Sequence, residues 1–140
     1  MKGYGFVVAS AVFFMSTAGT SLAGEESIGA AEYNSNCAVC HGVSGKGDGP
    51  FAEFLKNRAP SLTVLSKNNG GVFPVDKVFK MIDGRGMMKG HGTTEMPVWG
   101  AQYTAESVKR HGPFFGEFYA QDMIEARILA LISHLNSLQE

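Results

Sequence analysis

The chain has 140 residues, 12 Lys or Arg against 13 Asp or Glu, a formal net charge of -1, 44% hydrophobic residues and 18 glycines. A weakly acidic balance excludes the basic stripe that a nucleic-acid partner would need, and the length leaves room for one domain, not two. Glycine is well above its usual share of about 7%, which predicts long irregular segments, and a small domain with long loops needs something large to pack against.

Met1 and Lys2 are followed by an uncharged run from Tyr4 to Met15, then by small residues ending in Ser21-Leu22-Ala23, with Gly24-Glu25-Glu26 behind them. A basic start, an apolar stretch of roughly 12 to 15 residues and small side chains at the cleavage positions make a secretory signal pattern. A membrane span needs about 20 apolar residues, and Ser10, Ser16, Thr17, Thr20 and Ser21 dilute this one. The expectation is a signal peptide at 1–23 and a single domain at 24–140. No cysteine follows the cleavage point to carry a lipid, so the mature chain is expected to be soluble in the periplasm or a similar exported space, without stable membrane insertion.

Beyond Ala23, Ser27 is a plausible N-cap for a helix from Ile28 to Cys40. Gly45, Gly47 and Gly49 alternate up to Pro50 and mark a loop over 42–50. Phe51 to Lys56 suits one or two helical turns, and the stretch from Ala59 to Gly71 reads as an extended piece followed by a short turn or helix. A helix follows Pro74, with Val75, Val78, Phe79 and Ile82 on one face and Gly84 as its stop. Residues 84–100 read as a second glycine-rich loop. The strongest element runs from about Gln121 to Leu138, where Ile124, Ile128, Leu131, Leu135 and Leu138 keep the spacing of one buried helical face. No convincing strand or internal repeat occurs, and the fold class is all-α, with short helices and long loops.

Both cysteines of the chain lie in Cys37-Ala38-Val39-Cys40-His41. A redox dithiol of this spacing expects a βαβ context, which is missing. A structural zinc site wants a second Cys or His pair, and His91, His111 and His134 are not paired at metal spacing. Cys-x-x-Cys-His is instead the signature of covalent c-type haem attachment. Two thiols about one helical turn apart can reach the vinyl groups along one edge of a porphyrin, and the next residue aims an imidazole at the iron.

The opposite axial position needs a second ligand. Met81 and Met123 fall within expected helices, where a core role is the plainer reading, whereas Met87, Met88 and Met96 fall in the glycine-rich loop. Met96 is the candidate because Pro97 follows it: a fixed φ and a missing amide donor hold the chain stiff beside a weak thioether ligand. His91 is the rival, and a bis-histidine site would lower the reduction potential relative to His/Met.

With these motifs in order, the chain resembles the class I monohaem c-type cytochromes of the bacterial periplasm. Gly29 and Tyr33 resemble the family's N-terminal helix, which packs on the C-terminal one. Cys37, Cys40 and His41 match the haem motif, and "GKGDGP" from Gly45 to Pro50 resembles a frequent continuation. "APSL" at Ala59 to Leu62 resembles the segment whose proline carbonyl orients the proximal imidazole. "IDGRG" and "EMPVWG" resemble the distal loop. The resemblance implies one haem c tethered by Cys37 and Cys40 and wrapped by the fold, with iron ligands His41 and Met96. It also implies Pro60 as the carbonyl partner of His41, and Arg85 and Trp99 as candidates to meet the propionates, though Arg85 could equally be solvated and Trp99 simply core.

Two features depart from the family pattern. His134-Leu135 stands where an aromatic followed by leucine is usual, so His134 is expected to pack on the N-terminal helix and not to bind iron. The segment from Val108 to Asp122, with Phe114, Phe115, Phe118 and Tyr119, looks like an aromatic insertion, either a flap over haem or core or a docking surface for a redox partner.

The function implied is that of a one-electron carrier without catalytic residues, exchanging electrons with donor and acceptor proteins that the sequence does not name. The alternatives are a dedicated cytochrome subunit of a periplasmic dehydrogenase, in which the chain accepts electrons within an oxidoreductase complex, or a haem-based gas sensor or peroxidase.

Overall fold

The computed structural model describes residues 26–86, 96–112 and 117–140, with the side chains at 117 and 118 left aside. The expected signal segment, His91, Met87, Met88, Phe114, Phe115 and the side chain of Phe118 lie outside the described residues. Among the described residues the regular structure is helical throughout and no strand occurs, as an all-α chain requires. Five α-helices follow in order: α1 (Ile28–Asn36), α2 (Ala38–His41), α3 (Val75–Asp83), α4 (Trp99–His111) and α5 (Glu117–Ser137). Short 3-10 turns at Ala52–Phe54 and Lys67–Asn69 lie in the long connection between α2 and α3.

Helix α1 starts where Ser27 accepts a hydrogen bond from the amide of Ala30, 3.2 Å away, which satisfies one of the free first-turn donors. It does not run unbroken to Cys40 as the sequence suggested. The backbone steps at Cys37 (φ -108°, ψ -38°), and α2 continues as one turn to His41. Helix α3 lies between Pro74 and Gly84 as expected, and Gly84 adopts φ +66°, the left-handed stop that glycine favours. Val78 and Ile82 are buried and Phe79 packs against them, but Val75, at the open first residue of the helix, stays exposed.

Helix α4 was not foreseen. The sequence reading placed Trp99 and Gly100 in a loop and extended a link over 108–122. In the structure α4 occupies 99–111, and α5 begins at Glu117, four residues before the expected start. The aromatic insertion is therefore largely the end of one helix and the start of the next, and Tyr119 is exposed on α5.

Helix α5 is the spine against which α1, α3 and α4 pack. Its expected face is the core: Ile124, Ile128, Leu131 and Leu135 are buried, and Leu138 packs beside them. Tyr33, Tyr103, Ile128 and Leu131 are the largest side chains removed completely from solvent. Among the described residues no helix is long and apolar enough to cross a membrane.

Candidate functional site

The site begins where α1 hands over to α2. Tyr33 stands one turn before Cys37, and its hydroxyl donates to the Gly42 carbonyl over 2.7 Å, pinning the far end of the motif to α1. Burial pushes the Tyr33 phenol up to about 12, aided by Cys37 and Asp48, so it remains a donor at neutral pH.

The loop after the motif turns back on it. The amides of Gly47, Gly49 and Phe51 donate to the carbonyls of His41, Cys40 and Val39 at 2.8, 3.2 and 2.8 Å. These are carbonyls that a one-turn helix leaves without partners. Gly47 has φ +77°, and a Cβ there would collide with the Ala59 carbonyl, so no other residue suits the crossing of this loop over the segment that carries Pro60. That segment is fixed twice more. Leu62 donates its amide to Gly45 over 2.7 Å. Gln139, beyond α5, donates its side-chain amide to Leu62 and Leu135 and accepts from the Ser66 amide.

His41 is half-buried. Burial lowers its pKa, while the Pro60 carbonyl acts in the opposite direction as a hydrogen-bond acceptor. Nδ1 is shielded from water and has no hydrogen bond that meets ordinary geometric limits among the described residues, so Pro60 approaches the ring without closing a full bond. The imidazole is neutral at pH 7, with a lone pair free for a metal. The Cys37 thiol is pushed up to about 12, chiefly by burial and then by Glu32 and Cys40. Nucleophilic dithiols show the opposite shift. Cys37 and Cys40 are not joined in a disulfide, and among the described residues no three His, Cys, Asp or Glu side chains cluster to hold a metal ion.

Two cavities meet at this point. One, of about 300 Å³, is walled by Tyr33, Leu62, Leu65, Leu131 and Leu135. The other, of about 460 Å³, is bounded by Cys40, Leu55, Pro60, Pro97 and Trp99. Cys37, His41 and Met96 line both. The structure thus gathers Cys37, Cys40, His41, Met96, Pro60 and Trp99 around one space, and Arg85 lines neither cavity. Its guanidinium is tied to Asp83 at 2.7 Å and to Gln121 at 2.9 Å. Trp99 is buried, with its ring 5.8 Å from that of Tyr103. His134 lies away from the cavities with its ring 5.1 Å from Tyr33, in the place on α1 expected for an aromatic.

These residues fit a haem. Two free thiols border the space, an imidazole and a thioether both reach it, and the walls are apolar and large enough for a flat macrocycle. The sequence reading missed Gln139 and the polar rim of Asn68, Asn69 and Lys77 on the smaller cavity. The latter three looked like an ordinary solvated turn and helix face, and no spacing relates them to the cysteines.

No curated protein and no solved structure matches the chain. The family model described as "Cytochrome C oxidase, cbb3-type, subunit III" matches residues 24–110. The chain belongs to that family: it is a c-type cytochrome, an electron-transfer protein that carries covalently bound haem c.

Proposed function

We propose that the protein is an exported, soluble one-electron carrier whose single haem c is tethered by Cys37 and Cys40 and ligated by His41 and Met96. The observation that carries this reading is that an imidazole from α2 and a thioether from beyond the distal loop line the same two cavities, together with Cys37. When bound, the group supplies an Fe(III)/Fe(II) couple.

The chain's own residues then set its behaviour. His41 offers a neutral nitrogen, and the nearby Pro60 carbonyl increases the basicity of the ring and would orient it once the bond from Nδ1 closes. Met96 offers a soft sulfur, with Pro97 limiting how far the backbone beside it can swing. Leu62, Leu65, Leu131 and Leu135 keep water from the inner wall. A thioether ligand and a dry wall both favour the reduced state and raise the potential. His41 and Met96 together would hold the iron with ligands from the protein alone, which suits outer-sphere transfer of one electron and leaves no site for a substrate.

The family's description favours a second reading within electron transfer, a cytochrome subunit held in an oxidase or other oxidoreductase complex. Spectra of the purified mature protein separate these possibilities. A carrier shows the weak near-infrared band of methionine sulfur on ferric iron, and Met96→Ala removes it; persistence of the band in that variant overturns Met96. Rapid and complete carbon monoxide binding by the reduced wild type would point to a sensor or peroxidase. Stable co-purification with an oxidase or dehydrogenase would favour the subunit reading, and a mature N-terminus at Gly24 would support export.

A further inference from the structure

The inner wall of the smaller cavity is hydrocarbon, but its outer rim is not. Asn68, Asn69 and Lys77 line it beside Pro74, with Asn68 and Lys77 exposed. Asn69 is held by the donation of its Nδ2 to the Val72 carbonyl over 2.8 Å, and its Oδ1 accepts from Lys77 Nζ at 3.4 Å. This long contact sets the Lys77 ammonium, in the first turn of α3, at the mouth of the cavity. Among the described residues no carboxylate pairs with it. An unpaired cation and two amides at the mouth of an otherwise apolar cavity make a carboxylate-binding arrangement.

The haem c of the proposed reading carries two propionates, on the porphyrin edge opposite the vinyl groups that the cysteines capture. Both cysteines line the larger cavity and only Cys37 reaches the smaller one, so a haem tethered by both would turn its carboxylate edge toward the smaller cavity. We propose that Lys77, positioned by Asn69 and joined by Asn68, holds a haem propionate. Arg85 is spent on Asp83 and Gln121, and Arg58 shares the larger cavity with Cys40. The other titratable groups around the site are His41, Tyr33 and Cys37 in the cavity wall, Asp76 and Lys80 on α3, and Lys67 on the turn that carries Asn69.

A cation beside a propionate lowers its pKa. The potential falls as pH rises through that pKa, because an ionised propionate favours ferric iron. The test is the midpoint potential of the haem-loaded protein followed against pH. In Lys77→Gln the step moves to higher pH, with a rise of about threefold in proton affinity, or about half a pH unit. Lys77→Glu moves it further, and Lys77→Arg leaves it near the wild-type position. A step that is unmoved in Lys77→Gln overturns the proposal, and a step that moves in Arg58→Gln or Arg85→Gln instead assigns the subsite there. The inference rests on the haem c reading, but the two fail separately: an intact sulfur band with an unmoved step removes only the Lys77 subsite.

Discussion

Gly29 of α1 lies directly against the Ala130 carbonyl of α5, so close that a Cβ at Gly29 would collide with that oxygen and press on the His134 Cβ, 3.2 Å away. The contact sets how near the two helices approach, and their approach brings Tyr33 and Leu131 to the same cavity wall. Replacing Gly29 with Ala forces the backbones apart in a packed core, an overpacking change that costs about 1–3 kcal/mol. Among the described residues nothing lies within 4 Å of a Cβ at Gly86, so Gly86→Ala serves as a control and should stay within about 0.5 kcal/mol. Denaturant melts of the two variants make the comparison, and equal midpoints would mean that the crossing is not constrained at Gly29.

A second joint ties three helices. Glu32 on α1 accepts from Arg127 on α5 through both oxygens, at 2.9 and 3.0 Å, and from the Tyr103 hydroxyl of α4 at 2.9 Å. Arg127 also donates to Glu106 at 2.8 Å and stacks 3.9 Å over the Tyr103 ring. Glu32 is well shielded, so Arg127→Met leaves a carboxylate without its main partner and should cost about 1–3 kcal/mol. A double-mutant cycle with Glu32→Gln should give a coupling of about 0.5–3 kcal/mol. Additive losses would mean that the two residues act separately.

The sequence carried the motif, the cap at Ser27, the stop at Gly84 and the face of α5, because each depends on a local rule that needs no knowledge of neighbours. Helix α4 was hidden for a physical reason. Its buried face consists of Trp99, Gly100 and Tyr103 only, too short an apolar stripe to show a helical period, and Gly100 reads as part of the preceding glycine-rich run. The glycine is there because a Cβ would collide with Asp83 and Arg85, which is a tertiary constraint. In the same way Arg85 resembled a propionate partner by its place in a motif, and only folding showed Asp83 and Gln121 around it. Gln139 is legible only once α5 and the segment after Pro60 lie side by side.

If Met96 is the distal ligand, its chemistry should set the potential. Met96→His supplies a harder nitrogen at the same backbone position beside Pro97. The iron should remain closed to carbon monoxide, the sulfur band should vanish, and the reduction equilibrium should fall at least tenfold, which is about 59 mV for one electron. An unchanged potential measured by spectroelectrochemical titration would show that sulfur was never bound.

His134 supplies a pH dependence that is independent of the iron. Burial lowers its pKa from the ordinary histidine value of 6.5, with Glu26 pulling the other way, and its Nε2 is shielded without a partner among the described residues. Above pH 6.5 the ring is neutral both folded and unfolded, so it makes no difference to the balance. Below 6.5 the unfolded chain takes up a proton that the folded chain resists, and stability falls as pH falls through this window. His134→Phe retains an aromatic ring against Tyr33 and removes the titration, so its stability should decline less than that of the wild type between pH 7.5 and pH 5.5. His41 is shifted in the same direction, so the difference between variant and wild type, both haem-loaded, is the quantity to measure by denaturant melts. Parallel losses in the two proteins would mean that His134 titrates alike in both states and that its burial carries no pH-dependent cost.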